Sequence, residues 1–246
     1  MRLFGLIGYP LGHSFSKKYF TEKFEKEGIP DSQYEAFPIE NISLLPSLLQ
    51  SNPSLAGLNV TIPYKEQVIA FLKEQSPVVM ETGACNCIKI KNGILTGYNT
   101  DVVGFRRSLQ ESFPTLPEKA LILGTGGASK AVAYTLKKLN IPYHIVSRTA
   151  SKETLAYSEV TSDVISTHQL IINTTPLGMA PQTEAFPPLP YDAMGKSHCC
   201  YDLIYNPLQT MFLQKAATQG AAVQNGWDML IYQAEESWRI WNDPTL

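Results

Sequence analysis

Ala120-Leu-Ile-Leu-Gly124-Thr-Gly126-Gly127-Ala-Ser129-Lys-Ala-Val-Ala-Tyr-Thr-Leu136 passes from an apolar run through a glycine-rich turn into helical periodicity. Strand, tight turn and helix in that order make a nucleotide-binding unit. Glycine lets the backbone turn sharply and approach a pyrophosphate, while the first N–H groups of the helix point at the phosphate. Gly124 and Gly126 match the first two glycines of G-x-G-x-x-G, but Ser129 replaces the third, so the surroundings have to support the reading.

That support lies in Tyr143-His-Ile-Val-Ser147-Arg148-Thr149, which reads as a second strand ending in a polar cluster. A unit built for NAD places Asp or Glu at this strand end to hold the ribose 2′-hydroxyl. Here Arg148 stands between Ser147 and Thr149. A guanidinium offers a planar fork of donors and a permanent charge, which suits a 2′-phosphate. The cofactor expected is therefore NADP(H). Against this stands the plainer reading of Arg148 as a solvated residue after a strand.

The chain has 246 residues, of which 44% are hydrophobic, enough for one large or two modest domains with a real core. A formal charge of −2 argues against polyanion binding, so nucleic acid is not an expected partner. No apolar run approaches a membrane span, and the opening Met1-Arg-Leu-Phe-Gly-Leu-Ile-Gly8 is too short for a signal segment. The expectation is a cytoplasmic, membrane-free protein. Cys85, Cys87, Cys199 and Cys200 lack the spacing of a zinc or redox motif and read as reduced, mostly buried small hydrophobes. No metal is expected.

From the start of the chain, residues 3–8 read as a buried strand closed by Tyr9-Pro10-Leu11-Gly12, and the polar loop His13-Ser14-Phe15-Ser16 follows. Tyr19, Phe20 and Phe24 recur at helical spacing over 17–27, with Ser16 as a candidate N-cap and Gly28 ending the helix. Ser14 and Ser16 can cap, or can line a pocket and bind a carboxylate; both readings stand. Strands are expected over 34–39 and 55–63, a short helix over 43–49, and a further helix beginning near Tyr64-Lys65-Glu66. Lys65 at that junction, beside Asn59 and Thr61, is a candidate for chemistry. Asn92-Gly93 is a hairpin turn returning into a strand that ends at Asn99-Thr100-Asp101. Asp101 alone reads as an N-cap.

Beyond the glycine turn, Leu170-Ile-Ile-Asn173-Thr174-Thr175-Pro176 is a buried strand running into a polar loop, residues 181–190 are proline-dense and irregular, and Cys199-Cys-Tyr-Asp202-Leu203-Ile204-Tyr205 is another strand with a polar end. Helices are expected over 208–220 and 226–238. Alternating strands and helices imply parallel sheets covered on both faces, with ligands at the carboxyl ends of the strands.

In order along the chain stand Gly8-x-Pro10-x-x-His13-Ser14-x-Ser16, Asn59-Val-Thr61-x-Pro63-x-Lys65, Gly83-Ala84-x-Asn86, Asn99-Thr100-Asp101-x-x-Gly104, Gly124-x-Gly126-Gly127-Ala128-Ser129, Ser147-Arg148-Thr149 and Asn173-x-x-Pro176, with Gly226 and Gln233 near the end. In these segments the chain resembles the shikimate dehydrogenase family throughout. The resemblance implies an α/β fold of two domains separated by a cleft. Residues 1–103 and 227–246 would form the substrate and catalytic domain, and residues 104–226 a Rossmann-like NADP-binding domain. It implies an oxidoreductase that reversibly reduces 3-dehydroshikimate to shikimate in chorismate and aromatic amino acid biosynthesis, acting as a monomer or homodimer on a small-molecule substrate.

By the same resemblance Lys65 and Asp101 are the catalytic pair, and Ser14, Ser16, Asn59, Thr61, Asn86 and Gln233 bind substrate. The cofactor would meet Gly124, Gly126, Gly127, Ala128, Ser129, Ser147, Arg148, Thr149, Lys152, Thr174, Leu203, Tyr205 and Gly226. Three departures from the family pattern stand out. Ser147 takes the place of a common Asn, Lys152 that of a frequent second arginine, and Trp227-Asp228 that of smaller residues. Lysine keeps the charge but loses the bidentate fork, so NADP preference is expected to survive in weakened form. Two rival readings are a quinate/shikimate dehydrogenase with relaxed substrate or cofactor use, and a non-catalytic NADP-binding sensor; retention of Lys65 and Asp101 argues against the sensor.

Overall fold

The computed structural model describes residues 1–12 and 15–246; the expectation for Ser14 lies outside the described residues. The chain forms two compact units, Met1–Thr100 with Ala234–Leu246, and Asp101–Gln233.

The first unit contains β1 (Arg2–Gly8), α1 (Phe15–Lys26), β2 (Ser32–Pro38), α2 (Leu45–Ser51), β3 (Leu55–Val60), β4 (Glu74–Gln75), α3 (Pro77–Thr82), β5 (Cys87–Lys91) and β6 (Ile94–Tyr98). Its sheet runs β2-β1-β3-β5-β6-β4. β1 pairs in parallel with β2 and β3, as its unbroken apolar run requires, but β5 is antiparallel to both β3 and β6. The expected hairpin accounts for the antiparallel β5–β6 pair, while the antiparallel pairing of β5 with β3 departs from the parallel sheet expected of alternating strands and helices. Asn92 and Gly93 both take positive φ (53° and 77°), the geometry of a tight hairpin turn, so β6 returns beside β5 without a crossover.

Two further corrections bear on the site. α1 opens at Phe15, so Ser16 lies inside its first turn and is not the cap. The helix expected at Tyr64 is a short 3₁₀ segment, Gln67–Phe71. The Tyr64 hydroxyl donates to the Ile39 carbonyl at 2.6 Å, and Lys73 N–H donates to Leu95 O at 2.9 Å, which draws the chain into the sheet before a longer helix can form.

The second unit contains α4 (Asp101–Ser112), β7 (Ala120–Leu123), α5 (Gly127–Lys138), β8 (Tyr143–Ser147), β9 (Thr154–Ala156), α6 (Ser162–Thr167), β10 (Leu170–Asn173), β11 (Cys199–Asp202), α7 (Met211–Thr218) and β12 (Ala222–Gln224). The last helix, α8 (Trp227–Asn242), starts in this unit, and its residues from Ala234 onward belong to the first. The sheet order is β12-β11-β10-β7-β8-β9, with every pair parallel. Counted from β7, that is the doubly wound order 3-2-1-4-5-6. The helix expected over 208–220 is shorter, beginning after Thr210, whose hydroxyl accepts from Leu213 N–H.

Both faces of each sheet are buried. In the second unit Leu121, Ile171 and Phe212 pack on one side, and Ile122, Tyr201, Phe105 and Leu109 on the other. In the first, Phe4, Phe20 and Tyr34 receive Trp241 from α8, whose indole N–H donates to Ile88 O at 3.0 Å. Lys89 is buried and caps the end of α8 by donating to the carbonyls of Ile240 and Asp243. All four cysteines are free, and burial pushes the Cys87 and Cys200 thiols up, so they stay neutral. Among the described residues no helix is long and apolar enough to cross a membrane.

Candidate functional site

The second unit offers a nucleotide crevice where the strand order reverses, above the adjacent ends of β7 and β10. Gly124 has φ +109°, and a Cβ there would lie 2.8 Å from Thr174 Oγ1, so the position needs glycine on both counts. Gly126 is the opposite case. It is extended (φ −78°, ψ −179°), it caps α5, and a Cβ on it would meet open space. That space lies beside the N-terminus of a 12-residue helix, where N–H groups and the helix dipole favour a phosphate. Ser129 is buried, and its hydroxyl donates to Gly126 O at 2.7 Å, bracing the turn rather than facing a ligand.

At the end of β8, the Ser147 hydroxyl donates to Thr149 O and accepts from Thr149 N–H at 3.3 Å. Ser151 and Thr154 hydroxyls, 2.9 Å apart, close the same loop. These bonds hold the loop in shape while Arg148 and Lys152 stand exposed. With no acid at the strand end and an arginine in its place, the residues fit a dinucleotide bearing a 2′-phosphate.

Over the other half of the sheet a buried carboxylate organises the loops, and the sequence reading assigned it no role. Asp202 Oδ1 accepts from Asn173 Nδ2 and from Ile204 N–H, both at 3.0 Å, and Oδ2 accepts from the Thr210 hydroxyl at 2.5 Å. Burial pushes the Asp202 carboxyl up to about 6, with the three donors opposing the shift. Asn173 Oδ1 in turn accepts from the Thr175 amide and hydroxyl. Thr174 donates its hydroxyl to Leu123 O at 2.6 Å. Gly226 packs on Leu203, where a Cβ would come within 2.1 Å of the carbonyl oxygen. Thr174, Leu203, Tyr205 and Gly226 thus belong to one braced set of loops, and the only sequence signal for the brace was a lone Asp ending an apolar strand.

The first unit carries the polar residues expected to meet a substrate. Thr61 follows β3, half-buried, its N–H donating to Ile7 O at 2.9 Å. Lys65 is half-buried, in the turn before the 3₁₀ segment, and its carbonyl accepts from Cys85 N–H at 2.7 Å. Asn86 is buried, its Oδ1 accepting from Thr100 N–H at 2.6 Å.

Asn59 is buried at the end of β3, with Oδ1 accepting from the Tyr34 hydroxyl at 2.8 Å and Nδ2 donating to Ser237 Oγ at 2.9 Å. Both ends of its amide are bonded inside the unit, as both ends of the Asn86 amide are to Thr100. Asp101 is the first residue of α4 and buried rather than its cap, and Gln233, half-buried on α8, donates to Leu230 O at 2.9 Å.

Residues 6–88 match the family described as the shikimate dehydrogenase substrate binding domain. A shikimate dehydrogenase (NADP(+)) of Methanococcus maripaludis strain C6 is 38% identical, the match covering 98% of this chain and 91% of the relative. The solved shikimate dehydrogenase of Aquifex aeolicus superposes with a TM-score of 0.88 at 35% identity, covering 98% of this chain and 92% of that one. The enzyme of Thermus thermophilus, solved with NADP(H) and shikimate, superposes at 0.87 with 32% identity, covering 100% and 96%. On likeness of this extent along nearly its whole length, the chain belongs to the shikimate dehydrogenase family.

Proposed function

We propose that the protein is an NADP-dependent oxidoreductase that reversibly reduces 3-dehydroshikimate to shikimate. The observation that carries this is a dinucleotide crevice whose strand β8 ends in Arg148 where an acid would hold a free ribose, in a chain 38% identical over 98% of its length to a shikimate dehydrogenase (NADP(+)).

Bound NADPH supplies the hydride. The second unit's residues bind and orient it: the turn at Gly124–Gly126–Gly127 and the Ala128 amide at the start of α5 receive the pyrophosphate, Ser147, Arg148, Thr149 and Lys152 the 2′-phosphate, and the loops carrying Thr174, Leu203, Tyr205 and Gly226 the nicotinamide half. On the substrate side, Ser14 and Ser16 hold the carboxylate, and Thr61, Asn86 and Gln233 hold ring hydroxyls. As hydride reaches C3, negative charge grows on its oxygen. The Lys65 ammonium stabilises that charge and gives the oxygen a proton from Nζ. The Asp101 carboxylate shares in proton transfer in either direction.

The direct test is NADP⁺ reduction by the purified protein with shikimate and quinate in parallel and NAD⁺ as the second cofactor. Turnover with shikimate and NADP⁺ is expected, with quinate and NAD⁺ poor. Efficient use of quinate or NAD⁺ overturns the specific reading, and NADP⁺ binding without turnover overturns the enzymatic one. Arg148→Ala sharpens the cofactor claim. A charge-assisted pair is worth about 1.5–3 kcal/mol, so kcat/KM for NADP⁺ should fall about tenfold to hundredfold, with NAD⁺ changed by less than about twofold. An equal loss with both cofactors removes Arg148 from 2′-phosphate recognition.

A further inference from the structure

A doubly wound sheet is built from two halves, and in a dinucleotide site each half takes one mononucleotide. In the second unit the half formed by β7, β8 and β9 carries the glycine turn and Arg148, which fit the phosphates and the adenosine end. The half formed by β10, β11 and β12 is left for the nicotinamide. Asp202 is the last residue of β11, the middle strand of that half, and stands in register with Asn173 at the end of β10.

This carboxylate is fully enclosed, at 0% exposure, and among the described residues it pairs with no cation. Its partners are all neutral: the Asn173 amide and the Ile204 N–H on Oδ1, and the Thr210 hydroxyl on Oδ2. Burying an ionised group without a counter-ion is costly, and neutral donors offset only part of the cost. Burial accordingly pushes the carboxyl up to about 6, which still leaves it charged at pH 8. The ionisable groups around it do not balance that charge. Cys200 and Tyr201 on β11, and Tyr191 in the 3₁₀ turn before it, are pushed up by burial and stay neutral. A brace for the loops has no need of the charge, since an asparagine would offer the same acceptor to Asn173 and Ile204 and a donor to the Thr210 hydroxyl.

The nicotinamide ring is a cation in NADP⁺ and neutral in NADPH. A charge held in a dry interior is weakly screened, so it acts on a neighbouring charge more strongly than one at the surface. The residues tied to Asp202 lead into the loops assigned to that ring: Leu203 lies between Asp202 and the bonded Ile204, and Thr174 follows Asn173, whose Oδ1 also holds Thr175. We propose that Asp202 is a fixed negative charge that discriminates between the two forms of the cofactor, strengthening the binding of NADP⁺ and leaving that of NADPH unaffected. The inference rests on the function proposed above. It gives the charge a part in the reaction as well, because the ring gains positive charge as hydride leaves it for the substrate.

Asp202→Asn removes the charge and keeps the shape and the bonds. Binding is measured at pH 8, for NADPH by its own fluorescence and for NADP⁺ by calorimetry. The expected result is a Kd for NADP⁺ raised about tenfold, equivalent to about 1.4 kcal/mol, with Kd for NADPH within about twofold of wild type. Equal weakening of both forms is the signature of a brace alone and overturns the inference, as does no change in either.

If Asp202→Asn does not fold, the wild-type protein decides the question. The carboxyl is charged above about pH 6 and neutral below it, so the ratio of Kd for NADP⁺ to Kd for NADPH should rise several-fold from pH 8 to pH 5. Titration of the 2′-phosphate affects both forms alike and cancels in the ratio. A constant ratio overturns the inference. Wild-type protein that binds neither form refutes the proposed function, and this inference with it; binding of both forms without the expected difference refutes the inference alone.

Discussion

Lys65→Ala lowers kcat for shikimate oxidation by about 10³-fold, while NADP⁺ affinity measured by fluorescence titration stays within about twofold of wild type. The size of the loss follows from what the side chain does on the proposed reading. It meets charge that exists only in the transition state, and it carries the proton to and from the C3 oxygen, so its removal acts on kcat more than on KM. Cofactor affinity is spared because the residues assigned to the nucleotide belong to Asp101–Gln233, and Lys65 belongs to the other unit. Lys65→Arg retains the charge but holds its protons too tightly to release them, so it should recover little. A Lys65→Ala variant with more than a tenth of wild-type turnover would remove Lys65 from the mechanism.

Gly226→Ala produces the largest loss of stability expected from a single methyl group in the second unit's loops. The added carbon would lie 2.1 Å from the Leu203 oxygen and 2.6 Å from its carbonyl carbon, a clash of backbone with backbone that no rotamer relieves. Leu203 cannot retreat, because its N–H donates to Asn173 O at 3.0 Å and the next amide is held by Asp202. Nor can Gly226, whose N–H donates to Ile204 O at 3.0 Å and whose carbonyl accepts from Leu230 N–H at 3.0 Å. Overpacking of this kind costs about 3 kcal/mol, which for a unit of this size lowers Tm by about 6–12 °C in a circular dichroism melt. Gly126→Ala is the contrasting control. Its methyl would enter open space, so Tm should move by less than about 2 °C while NADP⁺ binding weakens as the phosphate cradle fills. Equal Tm shifts in the two variants would contradict the division between a glycine needed for packing and one kept clear for a ligand.

The two sheets differ in how far local pattern foretold them. The run from Ala120 to Leu136 announced its strand, turn and helix because each step has a short-range cause: apolar burial, glycine at a positive φ, then helical periodicity. Arg148 could be read in the same local way. The mixed pairing of the first sheet was half visible in Asn92-Gly93, but the place of β5 beside β3 was not, since strand order is a long-range choice. β12, only three residues long, gave too short a signal to see.

At the candidate sites, residue type was legible and residue role was not. Asn59, Asn86 and Asp202 each stood out as polar groups at strand ends, where ligands bind. Chemistry local to the chain was enough to mark out the glycine turn, the basic strand end, the hairpin and the set of polar candidates. It could not show that Asn59 is enclosed by Tyr34 and Ser237, the latter 178 residues away, or that Asp202 braces three loops. Nor could it show that Lys89 is buried as the cap of a helix 151 residues further on. Whether a polar side chain faces a ligand or another buried polar group depends on which strands and helices are packed beside it. That is settled by burial and hydrogen-bond satisfaction across the whole unit, and no local window of sequence contains it.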